Sequence, residues 1–431
     1  MSFELNETHD PARRSWVDSA NAPDADFPIQ NLPFGLFRTA GANPRAGVAL
    51  GDRIIDLTVL AGSLSGLAAE AARAPGPDLV PLLNQSPAAI SALRAALSDF
   101  YRVDGAGDRA AAEAALMPMA EAELLLPIKP PSFADFCCSV DHIARMAAGA
   151  GKGIAPCAMY LPVGYNSRAS SVAVSGTPLV RPKGQYETRP GSADVRYGPE
   201  PRLDYELELA VWMRGGNALG QTMTVAQAED SLFGVCLLND WSARGIQAFE
   251  QLLGPHLGKS ALTTVSPWIV TMEALAPFRV AARGRAGDEP AVPEHLLDER
   301  DRTSGHFNIV LTADLIIPDG QSRPICKTNF DVMFWTMAQM VAHQASSGAP
   351  LEAGDLLGSG TISGPSQDAR ACLTERTARG ADPILYDGDL KRVWIEDGDS
   401  IAIHGRAEAP GRVSIGFGEC RGTVLAAGSR I

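Results

Sequence analysis

The run LDYELELAVW, Leu203 to Trp212, alternates strictly between two faces, and that commits it to a β-strand. Leu203, Tyr205, Leu207, Leu209 and Val211 share one face, while Asp204, Glu206, Glu208 and Ala210 share the other. A helix would scatter the same residues around its circumference. Such a strand needs a core to cover its apolar face. With 45% apolar and 20% charged residues the chain can build one and is not disordered. Its 42 glycines and 31 prolines follow no repeat and suit a turn-rich β protein. The expected class is mainly β with some helix.

A length of 431 residues predicts two or three domains. The first 120 or so residues read as one unit. Residues 26–29 and 31–37 are short apolar segments broken by prolines, and Ala46 to Leu60 reads as two strands around a Gly51-Asp52 turn. Such strands suggest a small barrel. Alanine-rich helices are expected at 66–74, 87–99 and 108–123. Three prolines within Pro127 to Pro131 stiffen a linker and place the boundary nearby, giving units 1–120 and 121–431. In the larger unit, Thr224 to Phe233 has helical spacing and runs into a buried strand at Val235 to Leu238. Asn329 to Ala345 reads as one helix, capped by Asn329 and striped by Phe330, Phe334, Met337 and Val341.

A net charge of −13 disfavours a general nucleic-acid binder, which needs a basic face. No stretch reaches the roughly 18–20 apolar residues that span a bilayer, and the polar N-terminus lacks a signal-peptide layout. Seven cysteines without a C-x-x-C pair are read as reduced thiols in a cytoplasmic protein. Gly254 to Ser260 is one residue short of a phosphate loop, and Gly149 to Gly153 lacks the Ser or Thr after lysine.

Carboxylates remain. Glu206 and Glu208 leave one face of a strand about 7 Å apart. On a solvated face they would be an ordinary polar edge. Asp240, however, ends an apolar run, and Asp135 sits between Phe133 and Phe136. Acids gathered out of water repel unless protonated or neutralised by a cation, and four oxygen donors suit Ca²⁺ or Mg²⁺. Arg244 and Gln247 stand at i, i+3 and would project to one side of a helical turn. His9, His295 and His306 lie in polar stretches and are expected in solvent. His142, seven residues after Asp135, could be structural, exposed or a base for activating water.

These residues also carry a resemblance. DFPIQNLPFGLF (26–37), LPVGYNSRASSVAVSGTPLVRP (161–182), LDYELEL (203–209), LNDWSARGIQ (238–247) and LGKSALTTVSPW (257–268) resemble the fumarylacetoacetase family, whose members act last in tyrosine and phenylalanine breakdown. So do CKTNFDVMFWTMAQMVAH (326–343), GDLLGSGTISGP (354–365) and IGFGEC (415–420). The resemblance implies a small N-terminal SH3-like barrel, a large β-rich catalytic domain and a homodimer. It implies a divalent cation, Ca²⁺ or Mg²⁺, on Asp135, Glu206, Glu208 and Asp240. It makes His142 the general base with Glu375 as its partner. Arg244, Gln247 and Lys259 match groups that stabilise negative charge, and Tyr165 and Thr361 match substrate contacts. Lys259 and Thr263 also match a second, structural cation position.

This chain departs from the family at the substrate. Cys137 replaces a substrate-contacting tyrosine. After His142 the family's A-T-N-V-G run, which leads to a substrate arginine, gives way to Ile143-Ala144-Arg145-Met146, leaving Arg145 and Lys152 as candidates. The expected activity is metal-dependent C–C hydrolysis of a 1,3-diketone acid, with fumarylacetoacetate as the primary substrate. The alternatives are another acylpyruvate or β-diketone acid, and a catalytically weak metal-binding homologue.

Overall fold

The computed structural model describes residues 4–189, 191–386 and 390–430. The strand Leu207–Met213 lies near the middle of the larger sheet, antiparallel to both Leu232–Asp240 and Leu356–Gly358. The alternation read from the sequence here divides two cores. Leu207, Leu209, Val211 and Met213 join one buried cluster, and Ala210 and Trp212 join another. Both faces are covered, so a solvated polar edge is ruled out for this strand.

The first cluster lies between this sheet and a five-stranded one, ordered Ser322–Asn329, Ile309–Ile316, Ser400–Ala407, Ile415–Leu425, Leu179–Val180 among the described residues. Leu311, Ile401, Ile403 and Phe417 come from that second sheet. Removing a large apolar side chain from water contributes about 1.5–3 kcal/mol, so the burial between these two facing sheets holds this part of the fold together. The second cluster packs the N-terminal helices, chiefly Pro87–Tyr101, onto the opposite face.

The expected hairpin forms, with Arg45–Leu50 antiparallel to Arg53–Asp56. Helices Gly66–Arg73 and Pro87–Tyr101 occupy the alanine-rich stretches. The third is shorter than expected, Arg109–Ala114, because the chain then turns into the strand Leu116–Pro118.

The N-terminal strands do not close into a barrel among the described residues. Phe34–Arg38 pairs with Arg45–Leu50 on one side. On the other it is shared, with Phe34 and Gly35 opposite Ile269 and Trp268, and Leu36 to Arg38 opposite Glu123–Leu125. The edge that closure would use is taken by Trp268 and Ile269, and one continuous sheet results.

The expected helix from Asn329 to Ala345 is broken. Asn329 ends a strand and caps only the short turn Phe330–Val332, and the helix proper is Met337–Gln344. Thr336 and Gln339 form a capping box, which sets the start seven residues later. Two histidines expected in solvent are buried. His9 Nε2 contacts the Glu273 carbonyl and His306 Nε2 the Met333 carbonyl, each at 2.8 Å. All seven cysteines are free thiols. Among the described residues no helix is long and apolar enough to cross a membrane.

Candidate active site and metal centre

Three strands of the larger sheet deliver the acids, with Leu356–Gly358 between the one that carries Asp135 and the other two. Asp135 is on Phe133–Cys137, which runs parallel to Leu356–Gly358 with Asp135 opposite Gly358. Glu208 is on Leu207–Met213, Glu206 lies just before it, and Asp240 ends Leu232–Asp240. The alternation puts Glu206 and Glu208 on one side, and antiparallel pairing brings Asp240 to the same end. Oxygens of all four buried carboxylates lie within 4.8 Å of one another. A side chain at position 358 would displace the acids, because a Cβ there would sit 2.5 Å from Asp135 Oδ1. Gly360, at φ +76°, turns its N–H onto Glu208 Oε2 at 3.0 Å.

Cations and hydroxyls surround the cluster. Lys259 Nζ donates to Glu206 and lies 3.0 Å from Asp240 Oδ2. Arg244 Nη2 lies 2.8 Å from Glu206 Oε1. Thr263 Oγ1 donates to Asp240 Oδ1 at 2.9 Å, so Lys259 and Thr263 meet Asp240 at its two oxygens. Tyr165 Oη lies 2.7 Å from Asp135 Oδ2 and 3.1 Å from Asp240 Oδ2.

Burial pushes Asp135 up to about 8, and Asp240 adds to the rise. Burial, with Asp135 and Glu206, pushes Glu208 well up. Burial also acts on Glu206, but Lys259 and Arg244 outweigh it and hold that carboxyl below its usual range. Burial opposes the charge on Lys259, yet Asp240 and Glu206 raise it overall.

If all four acids were ionised, two cations would leave two negative charges unbalanced, which is why Asp135 and Glu208 hold on to their protons when no further cation is present. Asp135 Oδ1 and Glu208 Oε1 are buried without a hydrogen-bond partner. Two orphaned oxygens inside an all-oxygen set fit a divalent cation, which would remove both the imbalance and the repulsion.

A second group stands beside this one. Ser139 caps the helix Val140–Gly149 through the His142 N–H at 3.1 Å and donates its own hydroxyl to the Ser363 carbonyl at 2.6 Å. His142 Nδ1 lies 3.0 Å from Glu375 Oε2, which also accepts from Ser363 Oγ at 2.5 Å. Burial acts to raise Glu375, but His142 and these hydrogen bonds bring it down to about 2. With Nδ1 on the carboxylate, Nε2 is the nitrogen left to meet water. Cys372 is near enough to His142 and Glu375 for the three to share an ion. Burial and Glu375 hold its thiol neutral, and Glu375 Oε2 is already taken, so this trio makes a poor metal site.

Gln247 Oε1 accepts from Arg244 Nη1 at 3.2 Å, as the i, i+3 spacing required. Thr361 is buried just past Gly360, and Cys137 ends the Asp135 strand half-buried. Burial, with Glu206 and Asp135, keeps the Cys137 thiol protonated. A cavity of about 720 Å³ opens beside Tyr165 and Lys259 and is also lined by Asn166, Arg168 and His256.

Three buried residues escaped the sequence reading. Asp204 accepts from Arg244 Nε at 2.9 Å and from the Leu373 and Thr374 N–H groups at 2.6 and 3.0 Å. Glu200 caps the Arg244 helix through the Gly245 and Ile246 N–H groups at 3.0 and 2.8 Å. Ser363 orients Glu375. Asp204 carried a signal, since the alternation in the sequence sets it with Glu206 and Glu208, although the strand expected over 203–212 is broken between Leu203–Asp204 and Leu207–Met213. Glu200 and Ser363 carried none.

Residues 132–425 match the family model for the fumarylacetoacetate hydrolase C-terminal region, and residues 30–127 match that for the fumarylacetoacetase N-terminal region. Fumarylacetoacetase of Oryza sativa subsp. japonica is 39% identical over 96% of this chain and 97% of its own. That of Caenorhabditis elegans is 40% identical over 94% and 97%, and that of Homo sapiens 39% over 94% and 98%. The solved fumarylacetoacetate hydrolase of Exiguobacterium antarcticum shares the fold, with a TM-score of 0.50 at 18% identity over 92% of this chain and 99% of that one.

Proposed function

Because the chain belongs to the fumarylacetoacetase family, we infer that it is a metal-dependent hydrolase that cleaves fumarylacetoacetate to fumarate and acetoacetate. One observation carries the reading: four buried acids around two orphaned oxygens, close to a His–Glu pair.

We propose Asp135, Glu206, Glu208 and Asp240 as the metal ligands. A divalent cation held there would act as a Lewis acid toward the diketone oxygens. Glu375 fixes the ring of His142, and His142 Nε2 removes a proton from water as its oxygen attacks the carbonyl on the fumaryl side. The C–C bond then breaks, and its electron pair passes to the acetoacetate fragment, which takes up a proton. Arg244, Gln247 and Lys259 face the negative charge that develops on the tetrahedral oxygen and on the leaving carbanion. The charge on Lys259 and the hydroxyl of Tyr165 border the cavity through which the substrate enters. Thr361 and Cys137 complete the proposed substrate contacts.

The all-oxygen donor set supports Ca²⁺ or Mg²⁺ as the cation. Lys259 and Thr263 are retained as the second, structural cation position on the resemblance alone. A homodimer in the cytoplasm, and a boundary near residue 120 between an N-terminal and a catalytic domain, are likewise proposed. The gap between the two matched regions, at residues 128–131, supports a division there.

A second reading, the same chemistry on an acid with a different acyl group, draws on Cys137. Cysteine is smaller than tyrosine and a weaker donor.

The test is turnover of fumarylacetoacetate by chelator-stripped protein reloaded with Mg²⁺ or Ca²⁺, beside shorter acylpyruvates. His142→Ala should lower kcat by about 10²–10⁴ with cation binding retained. A hundredfold preference for an acylpyruvate selects the second reading. Cation binding without turnover of any diketone acid marks a catalytically weak homologue.

A further inference from the structure

We propose that Arg145 is a positioning residue for the His142–Glu375 pair and not the clamp for the substrate's distal carboxylate. The proposal rests on the reading of His142 as base.

Arg145 follows His142 by three residues on the helix Val140–Gly149, so the two side chains leave neighbouring positions on one face. Its Nη1 donates to Glu375 Oε1 at 3.2 Å. Its Nη2 donates to the Gly364 and Pro365 carbonyls at 2.7 and 3.0 Å. Asp141 Oδ1 stands behind it at 3.8 Å. Both terminal nitrogens of the guanidinium are thus engaged by acceptors of the protein itself.

Glu375 is correspondingly divided. Oε2 takes His142 and Ser363, and Oε1 takes Arg145. A carboxylate held at both oxygens cannot rotate, and its plane sets the plane of the imidazole. The side chain of Glu375 is 1% exposed and that of Arg145 24%, so the guanidinium closes the pair off from solvent. Other ionisable groups around Glu375 are Cys372, 3.5 Å from Oε2, the thiols of Cys137 and Cys326 and the Tyr205 phenol, all of which its charge helps keep protonated, and Arg370, which bonds its main-chain oxygen at 3.2 Å. Glu206 acts on His142 from the metal side.

Two consequences follow. The guanidinium fixes the base, and it shares the negative charge of Glu375, which weakens that carboxylate's hold on an imidazolium. To clamp a substrate carboxylate with both terminal nitrogens, Arg145 would have to turn away from Glu375 and the two carbonyls and free the partner of the base. The resemblance's substrate arginine therefore has no counterpart at this position.

The experiment measures kcat and KM against pH for the Mg²⁺-loaded wild type, Arg145→Gln and Arg145→Lys. Two substrates are compared: fumarylacetoacetate, and 3,5-dioxohexanoate, which keeps the acetoacetate end but has a methyl group in place of the fumaryl acid. For Arg145→Gln we expect kcat to fall about 10–100-fold on both substrates, with KM within about threefold. The acid limb of kcat/KM should move upward by about one pH unit, because a cation beside the carboxylate is gone. Arg145→Lys keeps that charge and should keep the wild-type limb. A rise of about 30-fold or more in KM for fumarylacetoacetate alone, in either variant, would mean that Arg145 reads the distal carboxylate, and the proposal fails. An unmoved acid limb in folded Arg145→Gln also overturns it. Undiminished turnover by His142→Ala would sink the base assignment itself, and this proposal with it, whatever the Arg145 variants do.

Discussion

Asp204 Oδ2 accepts a hydrogen bond from Arg244 Nε at 2.9 Å, and both side chains are closed off from solvent. The same oxygen accepts from Thr374, and Oδ1 accepts from the Leu373 N–H. Leu373 and Thr374 begin the short helix Leu373–Arg376, which has no side-chain cap of its own and carries Glu375. Asp204 supplies the missing cap from a distant strand. One carboxylate therefore sets both the Arg244 guanidinium and the helical turn that carries Glu375, two groups proposed for the chemistry.

Asp204→Asn should lower kcat about 100-fold while leaving KM and cation affinity near wild type. The amide keeps the size of the side chain, but its NH₂ would face donors from Arg244 or the helix start. A buried donor left unpaired costs about 1–3 kcal/mol, so some loss of stability should accompany the effect. Steady-state kinetics with calorimetric titration of Mg²⁺ would check it. A variant that loses cation affinity as steeply as kcat would show Asp204 to be part of the metal centre.

Removing the cation should abolish turnover reversibly, and restoring it should raise Tm. At a cation concentration of about 100 Kd the folded state gains about 2.7 kcal/mol. Asp135→Asn or Glu208→Gln should shrink that gain, since each replaces by a neutral amide a carboxylate that holds one of the two oxygens buried without a partner. Thermal melts across a Mg²⁺ series measure it. An Asp135→Asn protein stabilised by the cation as strongly as wild type would remove Asp135 from the ligand set.

The acids of the site were legible because their signal is local. Alternation along Leu203 to Trp212 put Glu206 and Glu208 on one face, and Asp240 closed an apolar strand. Asp204 lay on that face too, but what distinguishes it is Thr374, 170 residues away. His306 was expected in solvent because its neighbours in sequence are polar, whereas its burial comes from the chain around Met333. Apolar spacing ran unbroken through Phe330 and Phe334, since a buried turn needs large side chains as much as a helix does. Only the Thr336–Gln339 box marked the true start. The open N-terminal sheet depends on Trp268 and Ile269 reaching Gly35 and Phe34, a pairing that no local pattern encodes.

His306 should make the fold sensitive to acid. Burial pulls its pKa down from 6.5 to about 4, and the Met333 carbonyl offsets this only in part. Above pH 6.5 the ring is neutral folded and unfolded, and it contributes nothing to the pH dependence. Between pH 6.5 and about 4 the unfolded chain binds a proton that the folded chain refuses, so stability falls as pH falls. The full effect is about 3 kcal/mol at 1.36 kcal/mol per pKa unit. His306→Gln can still donate to the carbonyl, so its stability should lose less between pH 7 and pH 4.5 than that of wild type. Urea melts at the two pH values give the comparison. Equal losses in the two proteins would show that other groups set the acid limb.

Gly358→Ala separates the metal centre from the fold. The added methyl would lie 2.5 Å from Asp135 Oδ1 and 3.1 Å from Glu208 Oε2, the ends of two side chains that can move aside. Strand pairing of Leu356–Gly358 with its neighbours requires no left-handed backbone at 358, so the sheet should form. The displaced carboxylates, however, would no longer converge on one point. We expect cation affinity to fall about 10–100-fold, the scale seen when ligand orientation is disturbed, with a Tm in the absence of metal within a few degrees of wild type. Calorimetric titration with Mg²⁺ and Ca²⁺ reads the first quantity, and a melt in chelator reads the second. A variant that binds either cation as tightly as wild type would show that Asp135 and Glu208 do not need their present positions. The four-acid cluster would then not be where the metal sits.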